Sequence, residues 1–375
     1  MSSDTVTRVS TSGTAIEPPG ADGALVSGAR VEFGTRQTQW RRGRFSVRFP
    51  VRALLVCAAL GVLLGIGALV GLAVGSYAID IGQLFSVLGG ADQTFARTVV
   101  LEWRAPRVLA AVVFGAALGA SGGVFQALTR NPLASPDVIG FATGSYTGAI
   151  IVIIVLGGGY TQVASGALVG GIATAAVVYL LAYRGGITGF RFIIVGIGVS
   201  AMLTAVNTWL LLRAELEVAM SAAVWGAGSL NGITWEQAGV ATCVVIVLVL
   251  VIGLLARPMQ QLQLGDDAAK ALGIRVEPSR LGLIIVGVAL TAAVTAAAGP
   301  ISFVALAAPQ IARRLTRTPG ITLWPAAVVG AVLLLASDLV AQHALPQPLP
   351  VGVVTVVIGG TYLIWLLIHE IRKLP

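Results

Sequence analysis

Ten apolar runs alternate with short polar segments along most of the chain, at about 53–75, 106–128, 138–158, 163–183, 192–212, 237–256, 281–298, 301–316, 322–341 and 351–369. A helix that crosses a bilayer needs about 20 mostly apolar residues, and most of these runs reach that length. They are continuous and rich in Leu, Val, Ala and Gly. Strands of a membrane barrel would instead alternate over roughly 10-residue segments. In lipid every backbone amide must be satisfied within the protein, so continuous runs predict helices. The expected fold is all-α, a polytopic membrane helix bundle of about ten transmembrane helices. The seventh and eighth runs are short and are divided by Gly299-Pro300, so 281–316 reads either as two crossings or as one re-entrant hairpin. Small residues recur four apart at Gly67, Gly71 and Gly75, at Gly115, Gly119 and Gly123, and at Gly196, Ser200 and Thr204. That spacing lets backbones approach closely and predicts tight packing between helices.

Composition agrees. Of 375 residues, 56% are hydrophobic and 11% charged. A soluble domain carries about 25% charged residues, so this chain lacks the polar surface to cover a water-soluble fold of its size. The net charge of +8 does not indicate a nucleic-acid partner, because the positive charges lie between apolar runs and no nucleic-acid motif accompanies them. Their distribution predicts topology. Segments 1–52, 129–137, 184–191, 257–280, 313–321 and 370–375 hold 20 of the 24 Lys and Arg, and the intervening segments hold only Arg97, Arg104, Arg107 and Arg213. Positive residues mark the cytoplasmic side, so both termini are expected there, in a cytoplasmic membrane. Residues 1–50 are polar and basic and are expected to form a disordered cytoplasmic tail. Residues 51–375 form the transmembrane domain. The Arg41, Arg42, Arg44, Arg48 and Arg52 cluster stands where it can meet anionic membrane lipid.

The chain carries no fuelling chemistry that can be recognised. No GxxxxGK[ST] phosphate loop occurs, and the two lysines, Lys270 and Lys373, follow no glycine-rich loop. Gly196–Gly198 sits inside an apolar run and reads as packing. His343 and His369 fall near opposite membrane faces, and Cys57 and Cys243 lie inside apolar runs, so no metal or redox site is expected. No cofactor is expected either. Asp338 is the one clear charge in the middle of a run. It reads as a structural group bonded to a neighbouring helix, with proton carriage as the alternative. Uphill transport would draw energy from a partner or an ion gradient.

Five blocks then appear in order. Arg104-Ala105-Pro106-Arg107 continues through Gly115, Gly119 and Gln126 to Thr129-Arg130-Asn131-Pro132-Leu133-Ala134-Ser135-Pro136-Asp137. Gly265 to Gly273, Gly299 to Phe303, Pro309 to Arg313 and Leu349 to Thr355 follow. Together they resemble the FecCD family, permease subunits of bacterial importers for iron-siderophores, haem and vitamin B12, over about residues 50 to 373. Trp225 to Gly232 and Ala308 to Leu315 look most like ferric-enterobactin permease subunits. Many members have His where this chain has Gln310.

The resemblance implies a type II ABC importer permease with ten helices. It also implies a second permease subunit, here a paralogue, two copies of an ATP-binding subunit, and an extracytoplasmic siderophore-binding protein. The cargo would be a ferric siderophore, or cobalamin or haem in the same machine; an ion-coupled secondary transporter is the rival of another class. The chain itself would be no enzyme. Segment 257–280 resembles the ATPase-coupling loop. Ala268, Ala269, Ala271 and Leu272 favour helix, Asp266 and Asp267 stand where a helix start prefers acids, and Gly273 stops it. The coupling residues are therefore expected to be Gly265, Asp266, Asp267, Ala269, Leu272 and Gly273. The family motif implies that Arg104 and Arg107 pair with acids of the binding protein, although Gln342 stands where one relative has a further arginine. The inner gate is implied at Thr188 and Gly189.

Overall fold

The computed structural model describes residues 37–42, 45–91, 94–183, 189–318, 320–344 and 346–371. Its helices in chain order begin with α1 Val51–Ala73, α2 Ile81–Leu88, α3 Phe95–Arg97, α4 Ala105–Thr129, α5 Phe141–Ile151, α6 Tyr160–Ala182 and α7 Gly189–Arg213. They continue with α8 Leu216–Gly226, α9 Trp235–Leu262, α10 Asp266–Ala271, α11 Val276–Ala298, α12 Val304–Thr316, α13 Leu323–His343 and α14 Val351–Ile371. A π-helical stretch, Thr98–Arg104, joins α3 to α4, and a second, Val152–Leu156, extends α5. Among the described residues, seven helices are long and apolar enough to cross a membrane: α1, the continuous Phe95–Thr129, α6, α7, α9, α11 and α13. Phe141–Leu156, α12 and α14 complete the ten expected runs.

The structure adds to the sequence pattern in several places. The seventh run is not short. It starts at Val276, as a 23-residue helix, because Glu277 and Arg280 in its first turns pair with each other at 3.0 Å and so tolerate the entry. Its partner α12 has 13 residues, about 20 Å at 1.5 Å per residue, against a hydrocarbon core of about 30 Å. The segment 257–280 is mostly helical, since α9 runs through Pro258 to Leu262 and only a short connection flanks α10. Within the segment expected as a tail, β1 Gln37–Arg42 pairs antiparallel with β2 Phe45–Pro50. There Phe45, Val47 and Phe49 alternate with Ser46 and Arg48, the period of a strand. Residues 1–36 lie outside the described residues. The helix α8, within a polar connection of the sequence pattern, was not expected.

The bundle is built around α4. Its residues Ala110, Phe114, Ala117, Leu118, Val124 and Phe125 are buried, and it packs against α13, α11, α12 and α9. Glycine makes the closest contacts. A methyl group at Gly115 would strike the Gly330 carbonyl, one at Gly119 the Ala326 carbonyl, and one at Gly122 the Ala305 carbonyl. Gly144 and Gly148 of α5 meet Gly170 and Gly166 of α6 in the same way. Gly67 and Gly71 of α1 meet side chains rather than backbone, those of Leu335, Val108 and Leu339, and α1 stays on the outside with no residue buried. The expected small-residue rows are therefore packing contacts, tightest on α4.

The segments grouped by charge also meet in space. At one end, Arg52 Nε donates to Leu315 O at 2.9 Å, Arg130 reaches Asp266 at 3.3 Å, and Gln263 bonds Ile321 through both amide groups. A methyl at Gly189 would meet the Thr129 backbone 2.7 Å away. At the other end, Trp235 Nε1 donates to Leu101 O at 2.6 Å, Tyr160 OH to Ala297 O at 3.2 Å and Ser229 N to Ala298 O at 2.7 Å. Segments assigned to one side by arginine count thus touch each other.

Gly119→Val should lower the unfolding midpoint of the detergent-purified protein, as overpacking costs about 1–3 kcal/mol. Gly198→Ala, where an added methyl meets nothing within 4 Å, should stay within about 0.5 kcal/mol. A thermal unfolding series on both variants tests this, and equal midpoints would contradict the packing.

Candidate functional site

The helix α10 is built as a platform. Gly265, with φ 111°, breaks the chain after α9, and Gly273, with φ 82°, ends the turn that follows. Both conformations favour glycine, because a side chain at positive φ is strained. Asp266 opens the helix and is gripped by Arg280, whose Nη2 donates to its two carboxylate oxygens at 2.9 and 2.8 Å. Arg280 is buried at 5% exposure and holds Glu277 with its other arm at 3.0 Å. Arg130 adds a contact to Asp266 at 3.3 Å. Ala269 is fully buried, while Leu272 is 56% exposed. Asp267 is fully exposed, 3.8 Å from Lys270.

The six expected coupling residues therefore divide. Asp266 and Ala269 fasten the platform from below, the two glycines shape its ends, and Asp267 and Leu272 face outward. Arg280 and Arg130 were not singled out in the sequence. The three-residue spacing of Glu277 and Arg280 signalled an ion pair on a helix start, but nothing local pointed to Asp266.

Beside this platform the chain between α4 and α5 turns back into the bundle. Arg130 takes φ 52°, and by Gly140 the chain lies against Gly196 and Ser200 of α7. Those residues stand 7 and 11 places into α7, or about 10–16 Å from its start. Two side-chain bonds hold the turn to α12. Gln310 Nε2 donates to Pro132 O at 3.3 Å and to Gln126 Oε1 at 2.5 Å. Asp137 Oδ2 accepts from Phe303 N at 3.2 Å. Gln126 Nε2 in turn donates to Leu306 O at 3.0 Å. Gln310 thus belongs to a buried amide network that joins α4, the turn and α12.

The opposite end holds Arg104 and Arg107. Arg104 donates to the carbonyls of Leu72 and Ala73 at 2.9 and 3.0 Å, orphan carbonyls at the end of α1, and to that of Tyr77 beyond it at 2.7 Å. Arg107 forms a two-bonded ion pair with Asp338, at 2.9 and 2.7 Å, and also donates to Asn231 Oδ1. Their side chains are 14% and 2% exposed. Gln342 donates to the same carboxylate at 2.9 Å. Asp338 is thus bonded to a neighbouring helix, its structural reading. The sequence placed Arg104 and Arg107 correctly at one end but did not foresee their intramolecular partners. Of the two residues expected at the inner gate, Gly189 starts α7 hard against Thr129, and Thr188 lies outside the described residues.

The blocks of the resemblance also converge. Gly228 (φ 70°) lies under the Pro300 carbonyl, Gly299 (φ 73°) under the Trp225 carbonyl, and Gly352 N donates to Gly228 O at 3.0 Å. Three distant segments meet there in one knot of backbone.

A multi-pass helix bundle of this topology, with a short platform helix fastened at its arginine-rich end, defines a membrane transport permease. A solved metal-chelate type ABC transporter in an inward-facing conformation superposes with a TM-score of 0.74 at 27% identity, covering 84% of this chain and 99% of that one. The chain belongs to the FecCD transport family, whose model matches residues 63–369. It is 51% identical to the ferric enterobactin transport system permease protein FepG of Escherichia coli (strain K12), over 86% of this chain and 98% of the relative. It is 34% identical to the achromobactin transport system permease protein CbrC of Dickeya dadantii (strain 3937), over 88% and 96%.

Asp338→Ala should destabilise the purified protein by about 3–5 kcal/mol, because it leaves Arg107 charged and without its buried carboxylate. Arg107→Met combined with Asp338→Leu should recover most of that loss. Chemical unfolding of the two variants decides it; a wild-type midpoint for Asp338→Ala would mean that the pair holds nothing.

Proposed function

We propose that this chain is the permease subunit of an ATP-driven ABC importer that moves a ferric siderophore across the bacterial cytoplasmic membrane. The observation that carries the reading is the platform α10: a short helix fixed to α11 by Arg280, with Asp267 and Leu272 free to meet another protein. The siderophore is supported by the two relatives above, named for ferric enterobactin and achromobactin. Two ATP-binding subunits supply the energy, and this chain hydrolyses nothing itself. A paralogous permease completes the pathway, and an extracytoplasmic binding protein delivers the cargo. The arginine-rich end and both termini face the cytoplasm, in keeping with 20 of the 24 Lys and Arg on that side.

Gly189 and Thr188 form part of the inner gate in this reading. Arg104 and Arg107 act at the docking face, where both stay partly exposed. An ion-coupled carrier finds less support from Asp338, the carboxylate the sequence offered for proton carriage, because it is bound by Arg107 and Gln342.

Asp267→Lys together with Leu272→Asp should release the ATP-binding subunits while the permease still reaches the membrane. Placing a carboxylate in an apolar groove costs about 1–3 kcal/mol, roughly a tenfold to more than a hundredfold loss of affinity. Co-purification of the ATP-binding subunits and siderophore-dependent growth measure the effect. Normal recovery of those subunits with normal growth would show that α10 is not the coupling element. ATP hydrolysis by the pure single chain would overturn the division of labour.

A further inference from the structure

We infer that the turn 130–140 is a coupling strut, in which Arg130 and Asp137 tie the platform helix α10 to the break between α11 and α12 and so set how much cargo moves per ATP. The inference rests on the reading of α10 as the surface that meets the ATP-binding subunit.

The strut has a bond at each end. At the platform, Arg130 Nη2 lies 3.3 Å from Asp266 Oδ1, and Arg130 Nη1 stands 3.5 Å from where a Gly265 side chain would begin. At the far end, the Asp137 carboxylate accepts from Phe303 N at 3.2 Å. Between them Gln310 holds the Pro132 carbonyl. A displacement of α10 thus has a bonded route to Phe303, in the middle of the bundle. Phe303 in turn lies against α14, where a methyl at Gly359 would strike its side chain.

Two further observations separate this route from ordinary packing. Among the described residues, the non-glycine positions with positive φ are Arg130 at 52°, Phe303 at 70° and Arg317 at 52°. Arg130 and Phe303 are the two bonded ends of the strut, while Phe303 and Arg317 bracket α12. Arg130 and Arg317 are C-caps, where a left-handed residue is a common helix ending, whereas Phe303 takes this conformation at the start of α12, a strained position of the kind that concentrates at switching segments. The second observation concerns Asp137. Its Oδ1 is buried and has no hydrogen-bond partner among the described residues. That oxygen gains no bond in this arrangement, and an unsatisfied buried acceptor is costly. The cost is consistent with a bond that is remade in another arrangement of the same segments.

The test uses the whole assembly in liposomes: both permeases, the ATP-binding subunits and the binding protein. The probe is labelled ferric enterobactin, the substrate named for the 51%-identical relative. The readout is cargo accumulated per ATP hydrolysed, alongside recovery of the ATP-binding subunits. Arg130→Ala and Asp137→Ala should each keep the ATP-binding subunits and their hydrolysis while cargo per ATP falls by about fivefold or more. Asp137→Asn, which still presents an oxygen to Phe303 N, should stay within about twofold of wild type. An unchanged ratio in both alanine variants would overturn the proposal, as would a parallel fall of hydrolysis and uptake, which marks a structural role only. If Asp137→Ala does not reach the membrane, the half-exposed Arg130 decides alone, and an unchanged ratio there overturns it. The docking reading fails separately: it is lost if Leu272→Asp retains the ATP-binding subunits, whatever the ratio.

Discussion

Lipid offers no hydrogen bonds, so any backbone that leaves helical geometry within the apolar depth must be satisfied by the protein itself. This chain does so twice at the same place. The helix α12 is too short to cross, and the turn 130–140 re-enters beside it. Both are supported by side chains of the bundle: Gln126 donates to Leu306 O, Gln310 to Pro132 O and to Gln126, and Asp137 accepts from Phe303 N. Removing one amide would leave its partners desolvated and unpaired, at about 1–3 kcal/mol each. The rest of the molecule is arranged around this support. The helix α4 carries Gln126 and belongs to the most enclosed of the long apolar helices, and α12 ends where Arg52 of α1 takes the Leu315 carbonyl.

Glycine makes that enclosure possible. Helices in lipid gain little from burying apolar surface, so contact must come from backbones that approach closely. Gly115, Gly119 and Gly122 bring α4 against α13 and α12 at distances no side chain permits. The same device joins α5 to α6. By contrast α1 and α7 bury few residues and present their apolar faces outward. The molecule thus combines a tightly keyed interior with peripheral helices that have surface left for lipid or for a second subunit.

Much of this was legible in the sequence, and the misses share a cause. Hydropathy located the ten membrane elements because burial in lipid acts on each run separately. The charge pattern grouped segments that the structure indeed brings together. The acidic start and glycine stop placed α10 correctly, since capping is local chemistry. What escaped was non-local. Nothing in the spacing of Arg107 and Asp338, or of Arg280 and Asp266, announces their pairing, and an arginine at a membrane end looks the same whether it snorkels, docks or closes an ion pair. The run at 281–298 was cut short because Glu277 and Arg280 read as boundary charges until their mutual pairing is seen. The hairpin at 37–50 was missed for a different reason. Its two-residue alternation is short and lies among arginines, so the segment read as a polar tail.

The split within α10 bears on how such a platform transmits force. Exposed ion pairs contribute little, with a median of about 0–1 kcal/mol, so the fully exposed Asp267 supplies orientation more than grip. Leu272 offers apolar area that can be removed from water, the larger share of any contact energy. Grip on a partner is useful only if the platform does not shear from the bundle. Arg280 prevents that, because its buried guanidinium bonds both oxygens of Asp266 and one of Glu277, a planar fork that fixes direction as well as distance. In the proposed coupling role, the acid that looks like a helix start is the anchor of the platform, and the exposed Asp267 and Leu272 are what it offers a partner.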